Sequence, residues 1–148
     1  MTSVLAFQSR RSTSVSCGSM SEENIEVVRR SIAAFEGDEE TWLAAIDPSH
    51  VWYPLEEGNI PSHGLDAARA IRKRWLESWD SHQIEIEEIL DQGDSVVACL
   101  HLTGIGRESG VEVDLRFYMH WKLREGRLVY LYEYADRDEA LQAAGLSE

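Results

Sequence analysis

The sequence predicts an α+β domain in which three helices come first and a curved antiparallel sheet follows, closed by a short C-terminal helix. Three observations carry this. In the first half, apolar residues recur at helical spacing, as in Ile25, Val28, Ile32 and Phe35. In the second half, residues 95–106, 111–124 and 127–135 form long segments rich in β-branched and aromatic residues. Between those segments lie Glu108-Ser109-Gly110 and Glu125-Gly126, which have the composition of hairpin turns.

Taken in order, Ser21 is read as an N-cap, with Glu22 and Glu23 in the first helical turn and Gly37 ending the helix. Asp38 caps a second short helix through Trp42, Leu43 and Ile46, which Asp47-Pro48 closes because the residue before proline resists helical geometry. Val51-Trp52-Tyr53 is a brief strand, and a loop with Pro54, Gly58, Pro61 and Gly64 leads to a third helix carrying Ala67, Ala68, Ile71, Trp75 and Trp79 on one side. Residues 84–90 alternate as a strand but slip at Glu87-Glu88, the pattern of a β-bulge, before a turn at Gln92-Gly93-Asp94. After the three long strands, residues 136–144 form the closing helix, with Asp136 and Glu139 spaced as a capping pair.

With 148 residues and 43% hydrophobic content, the chain is long enough for one domain with a real core. Its net charge of −13 repels phosphate backbones and anionic lipid heads, so neither nucleic acid nor membrane is an expected partner. Cys17 and Cys99 lie in unlike contexts, a polar leader and a strand, which argues against a disulfide and for the cytoplasm. Residues 1–19 read as a disordered leader or upstream extension, since their longest apolar run, Val4 to Phe7, is too short for a signal peptide. The domain is then residues 20–148, opening at Met20.

The segments Asn24-Ile25-Glu26-Val27-Val28-Arg29-Arg30, Phe35-Glu36-Gly37-Asp38, and the run from Asp136 through Leu146, in this order around a bulged meander, resemble the SnoaL-like branch of the nuclear transport factor 2-like superfamily. The resemblance spans residues 20–148. It implies a cone-shaped barrel with a pocket between helices and sheet, a frequent dimer, and relatives that include ketosteroid isomerases, polyketide cyclases and limonene epoxide hydrolase. Fold does not settle function. By position, the isomerase's basic aspartate corresponds to Tyr53, its first-helix tyrosine to Ser31 and its proton-donating aspartate to Met119, so that reaction is not expected. The epoxide hydrolase pattern is matched only in part, by Glu133 near one aspartate position. A polyketide-cyclase type of chemistry needs one acidic residue in an apolar cavity, which Glu133 supplies.

Period-two alternation places Glu133, together with Leu131, on the inward face of the last strand, and His101 with Val97 and Cys99 on the inward face of the strand that begins at Ser95. The expected catalytic set is therefore Glu133 as acid/base, His101 as its hydrogen-bonded partner and Tyr53 as a hydroxyl donor. A pair that merely satisfies itself in the core is the other reading. Trp42, Trp75 and Trp79, with Phe117, Met119 and Trp121 from the sheet, are expected to wall a flat hydrophobic ligand or simply to pack. Cys99 is read as an inert lining thiol. His50, Glu56, Glu57, His63 and His82 match no metal motif and read as solvated, while Arg69, Arg72, Lys73 and Arg74 read as the wet face of the third helix. The strand from Ser95 is apolar on both sides, and Tyr130, Tyr132 and Tyr134 alternate outward, so a homodimer through the outer sheet face is expected. The function expected is cofactor-free binding of a small, largely apolar molecule, with or without acid/base chemistry of cyclase, isomerase or hydrolase type. The alternatives are a non-catalytic binding or sensing module and a structural dimerisation domain.

Overall fold

The computed structural model describes residues 16–146, with side chains from Glu22 onward. The leader expected over residues 1–19 lies outside the described residues as far as residue 15. The first helix, α1, runs Ser16–Phe35 and so begins ahead of the Ser21 expected to cap it. Its inward stripe includes Ile25, Val28 and Ala34. The second helix, α2 (Glu39–Ala44), is capped as read: Asp38 accepts from the Thr41 backbone N–H at 3.3 Å and from the Thr41 hydroxyl at 2.5 Å. Helix α3 spans Gly64–Glu77.

Arg72 of α3 corrects the reading of a wet basic face. Only 8% exposed, it donates from Nε to the Phe35 carbonyl at 2.8 Å and from Nη2 to the Gly37 carbonyl at 3.1 Å. A guanidinium there satisfies carbonyls that α1 leaves unpaired at its C-terminus and complements the negative end of the helix dipole. It also ties α3 to α1.

Six strands make one sheet: β1 (Ile46–Tyr53), β2 (Ser62–His63), β3 (Trp79–Gln92), β4 (Ser95–Gly106), β5 (Glu112–Arg124) and β6 (Arg127–Tyr134), in the order β2-β1-β6-β5-β4-β3. The sheet is not wholly antiparallel as expected, because β1 pairs parallel with β6. The short strand expected at residues 51–53 starts at Ile46, so Asp47 and Pro48 belong to it and do not close a helix. The bulge at Glu87 is present as a register shift between Ile86 and Glu88. Glu125 and Gly126 both have positive φ, 54° and 77°, the signature of the type I′ turn that fits the twist of an antiparallel hairpin.

Trp79 opens β3; it does not end the third helix. Its ring lies against Gly104 of β4, where an added Cβ would meet Trp79 Cε3 at 2.9 Å and the Ser81 carbonyl at 2.6 Å. Only glycine allows that approach. Helix α4 (Arg137–Ala143) follows Asp136, whose side chain makes no capping hydrogen bond, contrary to the expected pair.

Two apolar clusters result. The larger lies between the helices and the inner sheet face and includes Ile25, Val28, Trp42, Trp52, Ile89, Leu100 and Trp121. The smaller lies on the outer face, where Ala140, Leu141 and Ala144 of α4 pack on Val97, Leu90, Tyr118 and Tyr134. The outer side of β4 is thus covered in part by the helix α4 of the same chain, which accounts for its apolar character there.

Candidate active site

A cavity of about 350 Å³ opens between the helices and the inner face of the sheet. Helices α1 to α3 contribute Ser31, Ile32, Phe35, Trp42, Ile71, Arg74 and Trp75. From the sheet come His50, Trp52, Ile84, Leu100, Leu102, Leu115, Phe117, Met119, Trp121, Leu131 and Glu133, and the turn after β1 adds Leu55, Glu56 and Glu57. Most of this wall is hydrocarbon or aromatic. Phe35 lies edge-on to Trp42, Trp52 and Trp75, with ring centroids 5.7, 6.4 and 5.3 Å away, so four rings form one contiguous surface.

Glu133 is the buried ionisable group at the end of this surface, 9% exposed. Its carboxyl accepts from the Trp52 indole Nε1–H at 2.9 Å and from the Leu55 backbone N–H at 2.9 Å, one donor to each oxygen. The parallel pairing of β1 with β6 makes this possible, since it sets Trp52 opposite Leu131 and brings the turn after Tyr53 alongside Glu133. Asn59, in the left-handed region at φ 59°, fastens that turn: its Nδ2 donates to the Tyr53 carbonyl at 2.9 Å and to the Glu133 carbonyl at 3.0 Å. Asparagine is among the few residues that tolerate this backbone conformation.

Burial raises the Glu133 carboxyl to about 7, because removing a carboxylate from water outweighs the opposing pull of the Leu55 amide and the Trp52 indole. Negative charge on Glu56 and Glu57 pushes the same way. Glu56 is itself raised, first by burial and then by Glu57. Glu57 is paired with Arg74 at 2.6 Å. Burial drives the His50 imidazole down to about 4, so the ring is neutral near pH 7. Among the described residues no cluster of His, Cys, Asp and Glu could hold a metal ion.

Of the residues singled out from sequence, Glu133, Trp42, Trp75, Phe117, Met119, Trp121 and Leu131 line the cavity together. His101 does not. Cross-strand neighbours share a face, and β4 pairs with β5 so that Leu100 faces Phe117 while His101 faces Arg116. His101 therefore lies on the outer surface, with Nε2 2.7 Å from Asp114 and Nδ1 3.6 Å from Glu87. No dyad with Glu133 exists. Cys99 shares that outer face, its thiol 3.9 Å from Glu87. Tyr53, next to an inward Trp52, points outward and stacks on Tyr132 at 4.9 Å. Trp79 packs on Trp75 at 5.5 Å but is not part of the cavity wall.

Sequence reasoning missed Trp52, the donor to Glu133, and misread His50 and Glu56 as solvated. His50 is 2% exposed. The signal was the alternation of Ile46, His50 and Trp52 along β1, which becomes visible once the strand is extended past Pro48.

No helix among the described residues is long and apolar enough to cross a membrane. No curated protein matches the chain in sequence. Among solved structures, a putative SnoaL-like polyketide cyclase from Jannaschia sp. CCS1 superposes with a TM-score of 0.70 at 20% identity, covering 86% of this chain and 94% of that one. TerC co-crystallised with polyporic acid gives 0.68 at 22% identity, covering 82% and 97%. A protein of ketosteroid isomerase-like fold from Catenulispora acidiphila, in complex with trimethylamine, gives 0.66 at 14% identity, covering 82% and 93%. These identities establish a shared fold only. Residues 28–131 match the SnoaL-like domain family, and with the cone cavity and the six-stranded sheet this places the chain in that family, within the nuclear transport factor 2-like fold.

Proposed function

We propose that the chain binds a small, largely apolar molecule in the cone cavity and that Glu133 transfers a proton to or from it. The observation that carries this reading is a buried carboxyl, oriented by two N–H donors and raised to about 7, at the end of a wall of aromatic rings. A carboxyl with such a value is divided between acid and base near neutral pH, which suits it to take a proton from a carbon or oxygen acid and return it elsewhere on the same molecule. When Glu133 takes the proton it becomes the neutral acid, and the ligand holds the electron pair until the proton comes back. The aromatic wall excludes water and supplies affinity. The similar folds crystallised with polyporic acid and with trimethylamine support a cone that accommodates small molecules, one an acid and one an amine.

A non-catalytic binding module is the second reading, and one observation favours it. With His101 and Tyr53 on the outer face, Glu133 lacks both of the partners expected for it, and its hydrogen bonds come from an indole and a backbone N–H. A panel of polyketide, terpenoid and steroid-like compounds, screened by thermal shift and then by mass spectrometry, separates the two: ligands raise the melting temperature, and only an enzyme converts them. Glu133→Gln is expected to lose turnover while still binding uncharged ligands. Full turnover by that variant refutes the catalytic assignment. The protein is further proposed to act as a homodimer through the outer face carrying Tyr53, Tyr130 and Tyr132; light scattering that finds a monomer at micromolar concentration removes that proposal.

A further inference from the structure

The lining of the cavity is unbalanced in charge. Glu56, Glu57 and Glu133 all face it, against one guanidinium, Arg74, which is already engaged by Glu57 at 2.6 Å. Among the described residues Glu133 has no ion-pair partner, and its two hydrogen bonds come from neutral N–H groups. The rings bordering the carboxyls are indoles: Trp52 donates to Glu133, and Trp75 hydrogen-bonds Glu56. Indole faces attract cations more strongly than any other side-chain ring. His50 adds a neutral imidazole, which donates at one ring nitrogen and accepts at the other. Though 2% exposed and part of the same wall, its Nδ1 has no hydrogen-bond partner among the described residues. An anionic ligand would bring its charge among these carboxyls with Arg74 as its one counter-charge in the lining. A cation would meet two carboxyls without an ion-pair partner among the described residues, and indole π faces.

We propose that the cavity selects lipophilic amines, with the protonated nitrogen held between Glu133 and Glu56 beside Trp52 and Trp75 and the apolar body lying on Phe35, Phe117 and Trp121. The inference rests on the ligand-binding reading above and names the class of ligand. Its chemistry is recognition alone: the cation supplies the counter-charge that the buried carboxyls lack, and its hydrocarbon fills the rest of the cone.

The test uses three probes built on one naphthyl skeleton, naphthylethylamine, naphthylethanol and naphthylacetate, titrated calorimetrically into the full chain at pH 8. The amine is expected to bind about ten-fold more tightly than the alcohol, the scale of one desolvated cation–π or charge-assisted contact, and the acid more weakly than both. Glu133→Gln is expected to bring amine and alcohol within about three-fold of each other, and Glu56→Gln, in a turn at the mouth, serves as the second variant should the first fold poorly. Equal binding of amine and alcohol, or tightest binding of the acid, overturns this inference while leaving the cavity's role as a binding site intact. Absence of binding by all three overturns both.

Discussion

Replacing Glu133 with glutamine should abolish the pH dependence of stability that this one side chain imposes. In the folded protein its carboxyl is raised from 4.5 to about 7, so between those values the folded state holds a proton that the unfolded chain has released. Stability therefore falls as pH rises through this window, the opposite of a salt-bridged carboxylate. Integrating the linkage relation for values of 4.5 unfolded and about 7 folded gives a penalty of about 1 kcal/mol at pH 5 and about 3 kcal/mol at pH 8. Wild type should lose about 2–3 kcal/mol between pH 5 and pH 8 that the Gln variant does not lose. Glutamine retains an oxygen to accept from Trp52 or Leu55, so the comparison removes the charge and keeps most of the volume. Urea denaturation of both proteins at the two pH values, with identical salt, reads the difference of differences and cancels all other titrating groups. If the gap between variant and wild type changes by less than about 0.5 kcal/mol, Glu133 is not a strongly perturbed carboxyl and the acid/base argument fails with it.

Other changes probe the same geometry. Trp52→Phe removes the indole donor to Glu133 and should raise its titration midpoint further, by about one unit if the lost hydrogen bond contributes about 1.4 kcal/mol, as read by carboxyl carbon NMR. Gly104→Ala drives a methyl into the Ser81 carbonyl and the Trp79 ring and should cost about 1–3 kcal/mol in urea melts, with Trp79 fluorescence shifting as the ring is displaced. His101→Ala should leave ligand affinity unchanged within about two-fold, because its partners Asp114, Glu85 and Glu87 lie on the outer face; a ten-fold loss would contradict the β4 register.

The facing of β5 and β6 was readable because polar and apolar residues alternate cleanly there: Phe117, Met119 and Trp121 against Tyr118, His120 and Lys122, and Leu131 and Glu133 against Tyr130 and Tyr132. Strand β4 offers no such contrast. Val96, Ala98, Leu100 and Leu102 meet the helices, while Val97 is buried under α4, so both sides of the strand are apolar for different reasons. Choosing the side with His101 put a titratable group where Leu100 belongs. The pairing across the hairpin settles the choice, because Phe117 inward requires Leu100 inward. For Tyr53, the position before Pro54 suggested a pocket residue, yet its neighbour Trp52 has the larger apolar body and one N–H that finds its acceptor 81 residues away. A contact that remote leaves no local trace. Arg72 was hidden similarly: its carbonyl partners, Phe35 at the end of α1 and Gly37 in the turn after it, lie 37 and 35 residues away.

The position of β6, inserted between β1 and β5, has a consequence for biosynthesis. When a ribosome has produced everything up to Arg124, strand β1 has made no parallel partner and the inner edge of β5 is bare. Those two open edges await the sixth strand of the sheet, so a chain without it exposes unpaired borders that invite cross-pairing. Maturation of the carboxyl pocket is accordingly a terminal event. Any premature stop before residue 127 yields a polypeptide that retains α1 to α3 and most of the aromatic residues but lacks Glu133 and α4.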